Sequence, residues 1–330
     1  MKIKVFSLIL LSLCITFFSS SKDKIAYDCS SISSSLTKAT SNVSISKLVR
    51  FQIRKTTSSD RLNIDDIDFH EYLNFSTRDD NMAMGNPSNA TTTASNINNY
   101  LMAKPQFSLS YNNSKGIPNW VSWHLSSAWK GSALRSNCFA VDKSLPSSFY
   151  QAVTTSYSHS GFDRGHMCPS EDRDFSIADN TATFLMTNMI PQSPKLNRVT
   201  WVALEKYCRT LISAGDELYI ISGGNGSGGS GSNGGTTTTM ASGKISVPAT
   251  CWKIIVVLPN GINDVSRVST TTRIIAVNMP NTQTVNTLPW YNYRVSVDHL
   301  EALLGYDFLS NVPLNIQAAI ESTVDIGPTN

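Results

Sequence analysis

Hydrophobic and polar positions change rhythm along this chain. Phe107 to Tyr111 and Trp120 to Leu125 alternate apolar with polar residues, the period-two pattern of antiparallel strands. Leu218 to Ser222, Trp252 to Leu258 and Ile274 to Asn278 are short apolar runs bounded by turn residues, as core strands should be. The rhythm turns helical between Arg198 and Ala214, where Val199, Val202, Ala203, Leu211 and Ile212 trace one apolar face and Gly215 stands at the C-terminal cap. On that helix Asn197, Trp201, Glu205 and Arg209 fall at four-residue steps, so they form one slowly winding stripe. Ser296 to Leu304 and Ile316 to Ser322 predict two more helices.

Three segments follow from these textures. Residues 1–21 carry Lys2 and Lys4, then an apolar run from Val5 to Phe18, then three serines. That is the layout of a signal peptide, and the run is too short for a membrane span of about 20 residues. It predicts a secreted or periplasmic protein. No later stretch reads as membrane-spanning. Residues 22–81 are an extension rich in Ser, Thr and Asn, with acidic Asp65, Asp66 and Asp68 and a strand or two between Ser44 and Ile53. Residues 82–330 hold the regular pattern and form the predicted domain. Within it the Gly/Ser/Asn tract from Gly223 to Gly235 reads as a flexible surface loop. It lacks the Lys and the following helix of a phosphate-binding P-loop.

Composition adds little charge to explain. The chain of 330 residues has 41% hydrophobic content and a formal charge of +3, near +1 without Lys2 and Lys4. Bulk charge therefore does not hold a polyanion, and any such ligand needs a local cluster of cations. Of the cysteines beyond the leader, Cys29, Cys138, Cys168, Cys208 and Cys251, none lies in a CxxC pair, which argues against a zinc knuckle.

The densest chemistry is Asp163-Arg164-Gly165-His166, followed by Thr187-Asn188-Met189-Ile190-Pro191-Gln192, then Asn197, Glu205 and Arg209. This mixture suits phosphodiester hydrolysis. An anionic phosphate repels a nucleophile, so catalysis needs a base for water, a cation and Arg donors for developing charge. One amide oxygen suffices as protein ligand for Mg²⁺, which keeps most of its waters. Bland readings compete with this one. Asn197 suits a helix N-cap, and Glu205 and Arg209 suit a solvated i,i+4 ion pair. Arg173 and Asp174 read as surface charges, Trp120, Trp123 and Trp201 as core.

The ordered set of motifs resembles the DNA/RNA non-specific endonucleases, a family that includes secreted sugar-non-specific nucleases and mitochondrial endonuclease G. The likeness runs from Met84-Gly85-Asn86-Pro87-Ser88 through the DRGH and TNMIPQ segments to Gly305-Tyr306-Asp307-Phe308-Leu309. It implies an α+β fold: a ββα-metal (His-Me finger) nuclease with a central antiparallel sheet flanked by helices. It implies His166 as general base, Asn197 as direct ligand of a hydrated Mg²⁺ or Mn²⁺, and Glu205 and Gln192 around the metal's waters. Asn188 would support the base, and Arg135, Arg164 and Arg209 would surround the phosphate. DNA and RNA would both be substrates, leaving 5′-phosphate ends. Cys168 departs from the family pattern and suggests a bridge to Cys208, with Cys138–Cys251 as a second pairing. A homodimer is compatible with the sequence, and no inhibitor protein can be named from it. The alternative is a catalytically inactive nucleic-acid-binding module on the same fold. A zinc hydrolase would need three ligands at HExxH-like spacing, and the sequence has none.

Overall fold

A computed structural model describes residues 78–329. The leader and the strand expected between Ser44 and Ile53 lie outside the described residues. The first three strands are β1 (Tyr100–Ala103), β2 (Ser108–Asn112) and β3 (Ile117–Leu125). The middle of the chain forms β4 (Asp163–His166), α1 (Ile177–Ala182), β5 (Met189–Gln192) and α2 (Val202–Ser213). Next come β6 (Asp216–Asn225), a small hairpin of β7 (Thr239–Met240) and β8 (Ile245–Ser246), and β9 (Thr250–Pro259). The last elements are α3 (Asp264–Arg267), β10 (Arg273–Pro280), β11 (Arg294–Val295), α4 (Val297–Leu304) and α5 (Leu314–Ile320).

Seven strands make one sheet in the order β1-β2-β3-β6-β9-β10-β11, with every neighbouring pair antiparallel. Both faces are covered, so its central strands are apolar runs rather than clean alternations. Trp123, Ile220, Ile255 and Val277 point to one core, shared with Met189 and Ile190 of β5 and Leu204 of α2. Trp120, Tyr219, Trp252 and Ile254 point to the other, under Val297 and Leu300 of α4 and Ile320 of α5. The expected α+β architecture is present. The tryptophans expected in the core, Trp120, Trp123 and Trp201, are buried there.

Several local expectations change. The helix predicted from Arg198 begins at Leu196 with a wider π turn, Leu196–Trp201, before α2 continues. It ends as expected, since Gly215 takes a positive φ of 102° and its N–H donates to the Ile212 carbonyl. The Gly tract is only partly a loop. Gly223 to Asn225 complete β6, Gly229 bonds Thr237, and the Asn233 side chain donates to the His159 carbonyl. Arg173 is a core residue, not a surface charge. Its guanidinium donates to the Gln106, Asp172 and His124 carbonyls and lies 3.9 Å from the Trp129 ring centroid. Carbonyl oxygens solvate it where water cannot. The cysteine pairing also fails: Cys168, Cys208 and Cys251 are free buried thiols, whereas Cys138 is disulfide-bonded. Neither a Cys168–Cys208 nor a Cys138–Cys251 bridge exists.

Candidate active site

β4 and β5 form a separate two-stranded ribbon with Asp163 opposite Gln192 and His166 opposite Met189. The helical segment 196–213 follows, which gives the ββα unit. Gly165 is required by packing, because a Cβ there would enter the Gln192 side chain. His166 ends β4 with its ring edge-on to Phe184 at 4.8 Å and tilted against Phe139 at 5.6 Å. The chain leaving β4 is fixed by Asn188. Its amide donates to the Cys168 and Thr183 carbonyls and accepts the Cys168 N–H.

The π turn presents Asn197 and Arg198 to the start of β4. Asn197 Nδ2 donates to Asp163 Oδ2 at 2.9 Å, and Arg198 grips both oxygens of Asp163 at 2.8 and 2.6 Å. π turns often mark functional positions because they re-aim side chains. Here the amide's nitrogen is committed to Asp163, which leaves Asn197 Oδ1 free to face a ligand. Asn197 therefore sits inside the helical segment and is not its N-cap. Glu205 is buried, and no described residue hydrogen-bonds its carboxylate. An amide oxygen and a carboxylate, both without protein partners, are a hard-oxygen donor set that fits a hydrated divalent ion.

One cleft brings together Arg135, Arg164, His166, Asn197 and Glu205, with Pro169, Ser170, Glu171, Arg198 and Val202 completing its walls. The two arginines are aimed by aromatic faces. Arg164 lies 4.2 Å from the Phe139 centroid and Arg135 lies 4.8 Å from that of Phe184. Stacking orients a guanidinium without using up its N–H donors. Arg135 also donates to Asn137 and Ser170.

Three predicted site residues do not line the cleft. Asn188 and Gln192 are fully buried behind β4 and β5, and Gln192 has neither amide atom partnered. Arg209 is held by Asp172 at 2.9 Å and Glu171 at 2.6 Å, so it pairs with these acids rather than with Glu205. Three contributors were missed. Asp163 and Arg198 could have been found from their adjacency to the DRGH motif and to Asn197. Lys253 was legible only as a lysine inside the apolar run of β9. Buried, it lies 4.3 Å from the Trp201 centroid and 5.3 Å from that of Trp123.

Electrostatics separate the two titrating groups of the cleft. Burial, then Arg135 and Arg164, push the His166 pKa down to about 3, so its imidazole is neutral at ordinary pH. Burial pushes Glu205 up to about 7, with Lys253 pulling it down and Asp172 raising it.

The sequence matches the family described as DNA/RNA non-specific endonuclease over residues 84–315. A nuclease of Nostoc sp. is 51% identical over 244 residues, covering 74% of this chain and 85% of the relative. The mitochondrial nuclease EXOG of Xenopus laevis is 30% identical over 61% of this chain and 55% of its own length. Among solved structures, the EndoG/EndoGI complex contains a chain with TM-score 0.58 and 24% identity. That likeness covers 71% of this chain and 91% of the other, and it supports the fold.

Proposed function

The chain belongs to the DNA/RNA non-specific endonuclease family, a family of divalent-metal-dependent nucleases, and from that premise we propose that it hydrolyses both DNA and RNA without sequence preference, leaving 5′-phosphate ends. The observation that carries this reading is the single cleft that holds His166, Asn197 and Glu205 beside two aromatic-backed arginines. Donors directed at phosphate carry no base information, and in this reading Arg135 and Arg164 are directed at phosphate.

Asn197 Oδ1 would hold Mg²⁺ or Mn²⁺, with Glu205 as a carboxylate for its water shell. Bound there, the ion would offset negative charge on the phosphate and the leaving oxygen. Arg135 and Arg164 bind and orient the scissile phosphate. His166, kept neutral, accepts the proton of the attacking water at its ring nitrogen. Asp163 acts through its neighbours by holding the Asn197 amide and Arg198 in place. Asn188 likewise acts at a distance, by fixing the backbone after His166. The leader of residues 1–21 supports export of the protein. Retention of both the base and the metal-binding amide disfavours a binding-only module.

Purified protein incubated with plasmid DNA and with RNA tests the reading. Cleavage of both, stopped by EDTA and restored by excess Mg²⁺, is expected. Cleavage of one polymer alone, or cleavage indifferent to chelation, overturns it.

The pH profile follows from Glu205. A carboxyl raised to about 7 is ionised above that pH and protonated below it, whereas His166 stays neutral down to about 3. At fixed Mg²⁺, kcat/KM should therefore fall as pH drops through about 7, with Glu205 as the group that gains the proton. Lys253→Met removes the ammonium that lowers this pKa, so the acid limb should move to higher pH. An acid limb that stays in place would assign it to another group.

A further inference from the structure

On the sheet face opposite the cleft, three carboxylates converge where α4 meets the end of α5. Asp298 lies in the first turn of α4, Glu301 follows one turn later, and Glu321 is the C-cap of α5. One oxygen from each lies within 4.8 Å of the others. The Asp298 N–H donates to the Glu321 carbonyl at 3.1 Å, which ties the two helix ends together at the backbone. Glu301 uses one oxygen to accept the Phe308 N–H.

Glu321 is the anomaly. It is 5% exposed, and its Oε1 is buried without a hydrogen-bond partner. The charged groups acting on it are Glu301, Asp298 and Asp307, all carboxylates. Burial, followed by those charges, pushes its pKa up to about 8. A buried carboxylate facing other carboxylates is expensive unless a cation joins it.

A second acidic group supplies the contrast. Asp79, His124, Glu217 and Asp264 also gather, but Arg267 pairs with Glu217 and Asp264, and the Tyr219 hydroxyl bonds Asp264. There the protein provides its own cation. At Glu321 no described Lys or Arg does so.

We propose that Asp298, Glu301 and Glu321 form a calcium site that staples the C-terminal turn of α5 to α4. Ca²⁺ accepts six to eight hard oxygens at about 2.3–2.6 Å in irregular geometry, including bidentate carboxylates. Mg²⁺ demands a near-ideal octahedron and sheds water reluctantly, so three carboxylates on two helices suit it less. Asp298 is exposed, which leaves room for waters to complete the shell. An affinity of about 10⁻⁴–10⁻³ M is expected, the range of calcium sites in extracellular modules.

The test uses Ca²⁺ alone as the probe, on the full protein freed of metal, with calorimetric titration and thermal melts. Asn197→Ala serves as a second background, so that the cleft does not contribute. Saturating Ca²⁺ should raise the Tm by about 3–6 °C in both wild type and Asn197→Ala. Glu321→Gln should lose that rise and bind one Ca²⁺ fewer, while its nuclease activity in Mg²⁺ is unchanged. Without metal, Glu321→Gln should melt at or above the wild-type temperature, because it removes a buried carboxyl that has no cation to join it. Asp298→Asn, at an exposed position, should lose the rise in the same way and reads the site if Glu321→Gln does not fold. A wild-type Tm indifferent to Ca²⁺ up to about 10 mM, ten times the weakest expected Kd, overturns the proposal. So does a Glu321→Gln or Asp298→Asn protein that keeps the full rise.

Discussion

His166→Ala should reduce kcat/KM on plasmid DNA and on RNA alike by about 10²–10⁴-fold, the usual contribution of a positioned general base. Among the cleft residues His166 is the sole imidazole, and burial with Arg135 and Arg164 keeps it in the proton-accepting form. The loss should appear in kcat more than in KM, because Arg135 and Arg164 still capture the phosphate. Equal loss on both polymers is expected, since the attacked group is a phosphate in either case. Circular dichroism should match wild type, because β4 is held by its ladder with β5 and by Asn188 rather than by the imidazole. Activity within about tenfold of wild type would remove His166 from the base role.

Asp325→Ala should lower the stability of the fold strongly. The C-terminal residues fold back as a strap that touches α2 through Tyr207. Asp325 receives Arg273 at 2.8 and 2.9 Å, Arg294 at 3.0 Å and the Gly327 N–H at 3.1 Å. Pro328 accepts from Tyr207 at 2.6 Å and from Arg273 at 2.7 Å, so the strap reaches the helix that carries Glu205. Breaking a buried pair costs about 3–5 kcal/mol, and partial exposure of both arginines reduces this to about 2–4 kcal/mol. The corresponding fall in Tm is about 5–12 °C for a domain of this size. The pH dependence has a definite sign. Burial works against the Asp325 charge, but hydrogen bonds from Arg273 and Arg294 bring its pKa below the ordinary carboxylate value. Its stabilisation is thus complete above the unfolded pKa and is lost as pH falls through the lower folded one. A thermal melt within about 2 °C of wild type would show that the strap is ornamental.

The parts of this molecule that sequence made legible share a local cause. β6, β9 and β10 announce themselves because a strand buried on both faces must be apolar and must stop at turn residues, and β3 by its alternation. α2 is legible in its extent, which its cap at Gly215 closes, but not in its buried face. Of the expected apolar set only Ile212 is buried, Val199 and Ala203 are exposed, and Leu204, Tyr207 and Cys208 pack inward instead. The cleft residues are also near in sequence, and the ββα unit needs only a ribbon, one turn and one helix. What sequence concealed is contact across distance. The fall of Arg209 onto Glu171 and Asp172, the burial of Arg173 beneath Trp129, and the free thiols of Cys168 and Cys208 depend on how loops pack. The π turn is concealed for a different reason. An apolar repeat assumes about 3.6 residues per turn, and the wider π turn breaks that phase, which re-aims Asn197 and leaves Val199 exposed.

The central claim is that His166 and Asn197 serve one chemical step in one cleft. A double-mutant cycle measures this directly. Groups that act as a unit are strongly non-additive, so His166→Ala/Asn197→Ala should lose no more than about tenfold beyond the worse single variant, measured as kcat/KM on plasmid DNA at saturating Mg²⁺. A double variant whose loss equals the product of the two single losses would mean that the two side chains work independently, and would contradict the account.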